Sequence, residues 1–345
     1  MPLTLTALPG MPEVPAGADL AALLLAAVGA AGERLAEGDV LVVSSKVVSK
    51  ALGLWAEPGA DREAVIAGQT RRVVAERRSG ERVTRIVHAA AGPVMAAAGA
   101  DASNTGAGDR LLLLPDDPDA DARRVRADLM ARSGCRRLGL VLSDTAGRPW
   151  RAGQVDFALG AAGLAVLDDL RGGVDADGRA LSVTARALAD ELAAAADLVK
   201  GKADGVPAAL VRGAGGWVVE PDGDGAAALV RTGREDWFDY GRAEAVRASL
   251  GVEPGTPAAA HCGIPAVHPE PVADRVSRAV RVALHDLPDV GVDVGSRDVR
   301  VTADEPFTLG RAVARLEVAL WGEGLRAELT SPPDVVEAVL AITER

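Results

Sequence analysis

Short apolar runs of strand length alternate with stretches of helical periodicity over residues 1–249, and this alternation constrains the fold more than any other feature. A chain patterned this way buries the apolar runs as a sheet and covers the sheet with helices. The expected class is therefore α/β, in the mixed α+β sense because the spacing is irregular. Strands are expected at residues 39–48, 110–114, 138–143, 208–212 and 217–220, and helices at 19–31, 62–78, 119–132, 155–163 and 184–199. A Pro-, Gly- and Ala-rich segment at 250–271 reads as a linker. Residues 272–345 then form a small α/β region, with helices near 272–285 and 308–322 and a strand near 298–302.

Composition excludes several classes. The 345 residues are 48% apolar and 25% charged, ordinary values for a globular protein. A net charge of −11 argues against a nucleic-acid partner, which needs a basic footprint. Cys135 and Cys262 are too few for a disulfide framework or a cysteine-based zinc site. The longest apolar stretch, residues 20–32, falls short of the roughly 20 residues that span a bilayer, so no membrane partner is expected. With no basic leader in the first ten residues, the expected location is the cytoplasm.

The balance of basic residues is unusual. Of 38 lysines and arginines only four are lysine, and these form two close pairs, Lys46 with Lys50 and Lys200 with Lys202. Positions that keep lysine in such a chain are candidates for a compact ammonium facing phosphate. Lys200 and Lys202 also lie where a helix C-terminus favours positive charge for structural reasons alone. Lys46 and Lys50, read on a strand with Ser45 and Ser49, share a face.

The densest candidate site is the run SDTAGRP at 143–149. Asp144 falls at the C-terminal end of an apolar strand, where open α/β sheets place ligand groups. Asp144 beside Thr145 is a hard-oxygen pair suited to Mg²⁺ or Mn²⁺, although Asp-Thr also serves as a plain cap. Asp101 and Asn104 follow a run of small residues at i, i+3, as a metal ligand and a polar donor or as an Asx turn. Glu191 is a further candidate ligand. Asp116, Asp117, Asp119 and Asp121 read as a solvated turn and N-cap. There is no P-loop and no nucleophile elbow, and G-x-x-G at 160–163 offers a dinucleotide fold little support.

Five segments in this order resemble the coenzyme F420-0:γ-glutamyl ligase family: LPGMPEV at 8–14, SSKVVSK at 44–50, GADASN at 99–104, SDTAGRPWR at 143–151 and AAAADLVKGK at 193–202. The resemblance spans residues 4–245. It implies an F420 γ-glutamyl ligase-like fold in a homodimer. It also implies a ligase that adds L-glutamate to F420-0, or its dehydro form, through an acyl phosphate made from GTP. Carried over by motif, the nucleotide would meet Met11, Pro12, Glu13, Val14, Ser45, Lys50 and Asn104. Asp101 and Asp144 would hold one Mg²⁺ or Mn²⁺ and Thr145 a second, with K⁺ as a further ion. Asp144 and Lys50 would be catalytic. Leu52, Ala152 and Val155 replace the family's usual Glu, Asn and Thr, which leaves a catalytically impaired GTP- or F420-binding homologue as the alternative. Bifunctional relatives carry a flavin-binding nitroreductase domain. Residues 272–345 are too short for one, so they are read as at most a degenerate remnant, with no FMN expected.

Overall fold

The computed structural model describes residues 2–102, 110–201, 204–233, 236–330 and 336–344. Packing divides the chain into two units, residues 1–71 with 88–231, and residues 72–87 with 232–345. The elements run β1 (Thr4–Ala7), α1 (Leu20–Ala30), β2 (Asp39–Ser44), α2 (Ser45–Leu52), α3 (Arg62–Gly68), β3 (Thr70–Ser79), β4 (Arg82–Ala89), β5 (Val94–Ala96), α4 (Pro118–Ser133), β6 (Leu138–Arg148) and β7 (Arg151–Ala162). After these come β8 (Asp168–Asp169), β9 (Ala185–Arg186), α5 (Leu188–Lys200), β10 (Ala208–Arg212), α6 (Arg242–Ser249), α7 (Pro257–Cys262) and α8 (Val272–Ala283). The chain closes with β11 (Val290–Val294), β12 (Asp298–Ala303), α9 (Pro306–Gly322), β13 (Leu325–Leu329) and β14 (Glu337–Glu344). The class is mixed α/β, as the patterning requires.

The first unit is built on a five-stranded sheet of order β1-β10-β2-β6-β7. Strands β2 and β6 run parallel, with Ser44 opposite Ser143, whereas β10 and β7 lie antiparallel to them. Alternation sorts their side chains by face. Leu41, Val43, Leu138, Leu140 and Leu142 pack with Leu24 of α1, Val47 and Val48 of α2 and Leu129 of α4. Val40, Val42 and Val141 pack with Leu192, Ala193 and Ala196 of α5. The helices begin where side chains accept first-turn amides: Asp19 caps α1 at Ala22 (3.0 Å) and Asp117 caps α4 at Ala120 (2.9 Å). Asp119 is not solvated as expected. It is buried and accepts the amides of Ala161 and Ala226, both at 2.7 Å.

Five expected elements differ. Residues 45–48 continue from β2 as a helix, because Val47, Val48 and Ala51 then reach the core at helical spacing. Residues 70–78 are a strand. Residues 155–163, expected as a helix, lie mostly in β7. Their small side chains serve close packing instead: a Cβ on Gly160 would stand 2.4 Å from the carbonyl oxygen of Pro118 in α4. Residues 110–114 and 217–220 contribute only isolated bridges at Leu112 and Val218.

The second unit carries a four-stranded antiparallel sheet of order β11-β12-β14-β13. Val276 and Val282 of α8 and Leu316 and Leu320 of α9 pack on Val299, Val301 and Leu340 of this sheet. Residues 250–271, expected as a linker, belong to the same core through Leu250, Val252, Ala259 and Cys262. The prolines there start a helix, with Pro257 in the first turn and Thr256 capping Ala259 at 3.2 Å. The division accordingly falls at Thr232 and takes in most of the β3–β4 hairpin. Glu244 accepts the Glu76 amide at 3.1 Å and pairs with Arg77. Among the described residues no helix is long and apolar enough to cross a membrane.

Arg278, 4% exposed, bridges Glu270 (2.7 Å) and Glu323 (2.6 Å). Removing one partner of a buried ion network strands the others, at about 3–5 kcal/mol. Arg278→Met is expected to lower stability by that amount, read as urea-dependent loss of hydrogen-exchange protection in β12 and β14. Unchanged protection would show the network to be energetically idle.

Candidate active site

At the C-terminal ends of β2 and β6 the first unit opens into a cavity of about 350 Å³. Met11 to Val14 form one wall, the start of α2 a second and the end of α5 a third. The floor is Ser143, Asp144 and Thr145 of β6 with Asp156 of β7. Register sets this arrangement: Thr145 faces Asp156 across the β6–β7 pair. Successive residues of a strand project to opposite faces, so Asp144 points to the α2 side and Ser143 and Thr145 to the α5 side.

On the α5 side, Lys200 ends the helix with its ammonium buried. It donates to Asp156 Oδ2 at 2.7 Å and to Ser143 Oγ at 2.8 Å. Asp156 also accepts the hydroxyls of Ser143 (2.9 Å) and Thr145 (2.7 Å). Burial pulls the Asp156 carboxyl up, but the Lys200 charge and the three side-chain hydrogen bonds outweigh it and hold it below the usual range.

On the α2 side the balance is reversed. Burial pushes the Asp144 carboxyl up to about 6, and the charges of Asp156 and Asp101 push the same way. The Thr145 amide, 2.9 Å away, and the charge of Lys46 only partly oppose this. Lys46 pairs with Asp101 at 2.7 Å, and Asp101 is fixed by backbone bonds with Leu112 at 3.1 and 2.8 Å. Lys46 thus serves two carboxylates at once. Helix α2 starts at the cavity, and among the described residues no side chain caps its first turn, a setting that favours anions. Lys50, nearly buried, contacts Glu13 Oε1 at 2.5 Å.

Most of the expected site residues meet in this cavity. Met11, Pro12, Glu13, Val14, Lys50, Asp144 and Thr145 line it, and Asp101 reaches it through Lys46. Ser45 does not line it: it is fully buried at the start of α2, its hydroxyl without a hydrogen-bond partner among the described residues. Glu191 is exposed and lies outside the cavity. Asn104 and Lys202 lie outside the described residues. Three of the four lysines, Lys46, Lys50 and Lys200, line the one cavity, so the scarcity of lysine was the signal for two residues given no role from motifs. Asp156 carried no such signal. Among the described residues no three His, Cys, Asp or Glu side chains converge as a ready metal cluster.

The cavity lies at the C-terminal ends of parallel strands in a mixed sheet, the edge at which open α/β folds bind ligands. Residues 10–213 match the family described as F420-0:Gamma-glutamyl ligase, and the chain belongs to that family. A protein of Methanothermobacter thermautotrophicus named Coenzyme F420:L-glutamate ligase is 39% identical over 254 residues, covering 69% of this chain and 99% of the relative. Proteins of the same name from Halobacterium salinarum and Halorubrum lacusprofundi are each 41% identical, over 60% and 61% of this chain and 85% and 87% of their own lengths. About a third of this chain therefore has no counterpart in the Methanothermobacter protein.

The Asp144 carboxyl has a folded-state value of about 6 against an ordinary 3.8. Ionising it costs the fold stability, a penalty absent below the ordinary value and complete above about 6. Asp144→Asn removes the penalty. In chelator, its melting temperature is expected to exceed the parent's at pH 7.5 and to equal it near pH 4. The same difference at both pH values would contradict the raised carboxyl.

Proposed function

We propose that this chain adds L-glutamate to coenzyme F420-0 in F420 biosynthesis, consuming GTP and releasing GDP and phosphate. The observation that carries this reading is the convergence of residues 11–14, Lys46, Lys50, Asp144, Thr145 and Lys200, from separate family segments, on one cavity. A carboxylate does not accept an amine until one of its oxygens can leave. Transfer of the GTP γ-phosphoryl group to the F420-0 carboxylate gives an acyl phosphate. The glutamate amine then attacks that carbonyl, and phosphate departs.

The protein's part is to gather anions that repel one another. The open start of α2 and the ammonium groups of Lys46 and Lys50 favour phosphate there. Lys50 exchanges Glu13 for a phosphate oxygen as the nucleotide enters. The donor set fits a divalent cation, because Asp144 is a carboxylate that its surroundings discourage from ionising without more positive charge nearby. Asp101, Asp144 and Thr145 would hold Mg²⁺ or Mn²⁺, which when bound neutralises phosphate charge. Residues 11–14 wall the cavity. By resemblance, the homodimer, the K⁺ ion and the cytoplasmic location remain part of this reading.

The substituted positions favour an active enzyme over an impaired one. Leu52 is exposed at the end of α2, and neither Leu52 nor Val155 lines the cavity. The test is mass-detected glutamylation of F420-0 with GTP and Mn²⁺. Asp144→Ala is expected to abolish product and GDP release without unfolding the protein. Lys46→Met is expected to lower kcat/KM roughly a hundredfold, the scale of one electrostatic contact to developing charge. GTP binding with no product from the parent would establish the impaired reading, and GDP release by Asp144→Ala would remove Asp144 from the mechanism.

A further inference from the structure

Thr145 stands in the proposed cation site through a neutral hydroxyl, which can face a ligand with its hydrogen or with its lone pairs. Only the second orientation suits a cation. Nothing in Thr145 itself decides between them; its neighbours do.

Lys200 is a donor only. It gives one N–H to Ser143 Oγ at 2.8 Å and another to Asp156 Oδ2 at 2.7 Å. With its oxygen accepting from Lys200, Ser143 directs its hydrogen to Asp156 Oδ2 at 2.9 Å. That leaves Asp156 Oδ1 to accept from Thr145 Oγ1 at 2.7 Å. A hydroxyl has one hydrogen, and that of Thr145 is committed to Asp156. Toward the cavity, which Thr145 lines, its oxygen can only accept. Lys200, Ser143 and Asp156 are themselves buried, so water cannot readily reverse the direction of these bonds.

We infer that Asp156, anchored by Lys200 and Ser143, is a positioning residue that locks the Thr145 hydroxyl as an acceptor for a divalent cation. The inference rests on the cation site proposed above and extends it to residues that would not touch the ion. It also fixes what Asp156→Asn does. Because Lys200 and Ser143 both donate, the amide must turn its oxygen to them and its NH₂ to Thr145. The Thr145 oxygen then accepts from the amide, and its hydrogen swings toward the cavity, where it opposes a cation.

The experiment is Mn²⁺ titration of the full chain at fixed pH, read by the electron paramagnetic resonance signal of free Mn²⁺, with thermal melting as a check of folding. Loss of a partner behind a metal ligand typically weakens binding tenfold to a hundredfold. Asp156→Asn and Thr145→Val are each expected to weaken Mn²⁺ binding at least tenfold, while Thr145→Ser retains it. The double variant Asp156→Asn, Thr145→Val is expected to bind no more weakly than Thr145→Val alone, because Asp156 acts through Thr145. Losses that multiply in the double variant would assign Asp156 a through-space charge effect and overturn the inference, as would parent-like binding by Asp156→Asn. A parent chain that binds no Mn²⁺ would overturn the cation site itself, a different failure from parent binding that Asp156→Asn leaves unchanged. Should Asp156→Asn not fold, the parent chain supplies a second measurement. The Thr145 hydroxyl proton, seen by NMR as bonded to Asp156, is expected to keep that bond and to shift on addition of Mg²⁺. An unmoved signal would overturn the inference.

Discussion

The parallel pairing of β2 with β6 is the constraint on which the rest of the site depends. Two parallel neighbours end at the same edge of the sheet, so whatever follows each strand is delivered to one place. After β2 comes a helix that starts at once, with Lys46 and Lys50 on its first two turns. After the apolar part of β6 come Ser143, Asp144 and Thr145, and the strand continues into a hairpin whose return leg brings Asp156 opposite Thr145. Had either strand run the other way, these groups would stand at opposite edges of the sheet.

The sheet edge also explains why the cavity has two electrostatic characters. Side chains alternate across β6, so the helix packed on each face supplies its own cation. The α5 face receives Lys200, committed within 2.8 Å to Asp156 and Ser143. The α2 face receives Lys46, which Asp101 shares. Asp156 is thereby paired directly with an ammonium, whereas half-buried Asp144 is left with the Thr145 amide and the charge of Lys46. Arginine would serve poorly in either place. Its fork needs planar, bidentate partners, whereas Lys200 divides its hydrogens between a carboxylate and a hydroxyl.

The sequence made the architecture legible where polar punctuation and apolar period agreed. The helices expected to start at Asp19 and Asp119 begin within one residue of them, at Leu20 and Pro118. It misled where side-chain size answered to packing instead of local preference. The run at 155–163 is small because α4 and α5 press against β7, and smallness from close approach looks in one dimension like helix propensity. Residues 45–52 kept a valine-rich strand character past the point where the backbone coiled, and the mistake was partly self-concealing. Lys46 and Lys50 share a side at a spacing of four in a helix as they do in a strand. Ser45, expected at the nucleotide by resemblance, is instead fully buried at the start of α2.

Most of the residues that line the cavity were legible in the sequence, and Asp156 was not. Asp144 and Thr145 announce hard-oxygen donors by type and position, and the lysines announce themselves by rarity. Asp156 is a single acid in a strand rich in small residues, and its partners lie 11, 13 and 44 positions away. No local pattern encodes a proton direction. It depends on a donor-only ammonium, two hydroxyls and a carboxylate being brought within hydrogen-bond distance. The physical division is between groups that meet a ligand, which residue type can suggest, and groups that fix how the first set presents itself, which depends on three-dimensional proximity alone.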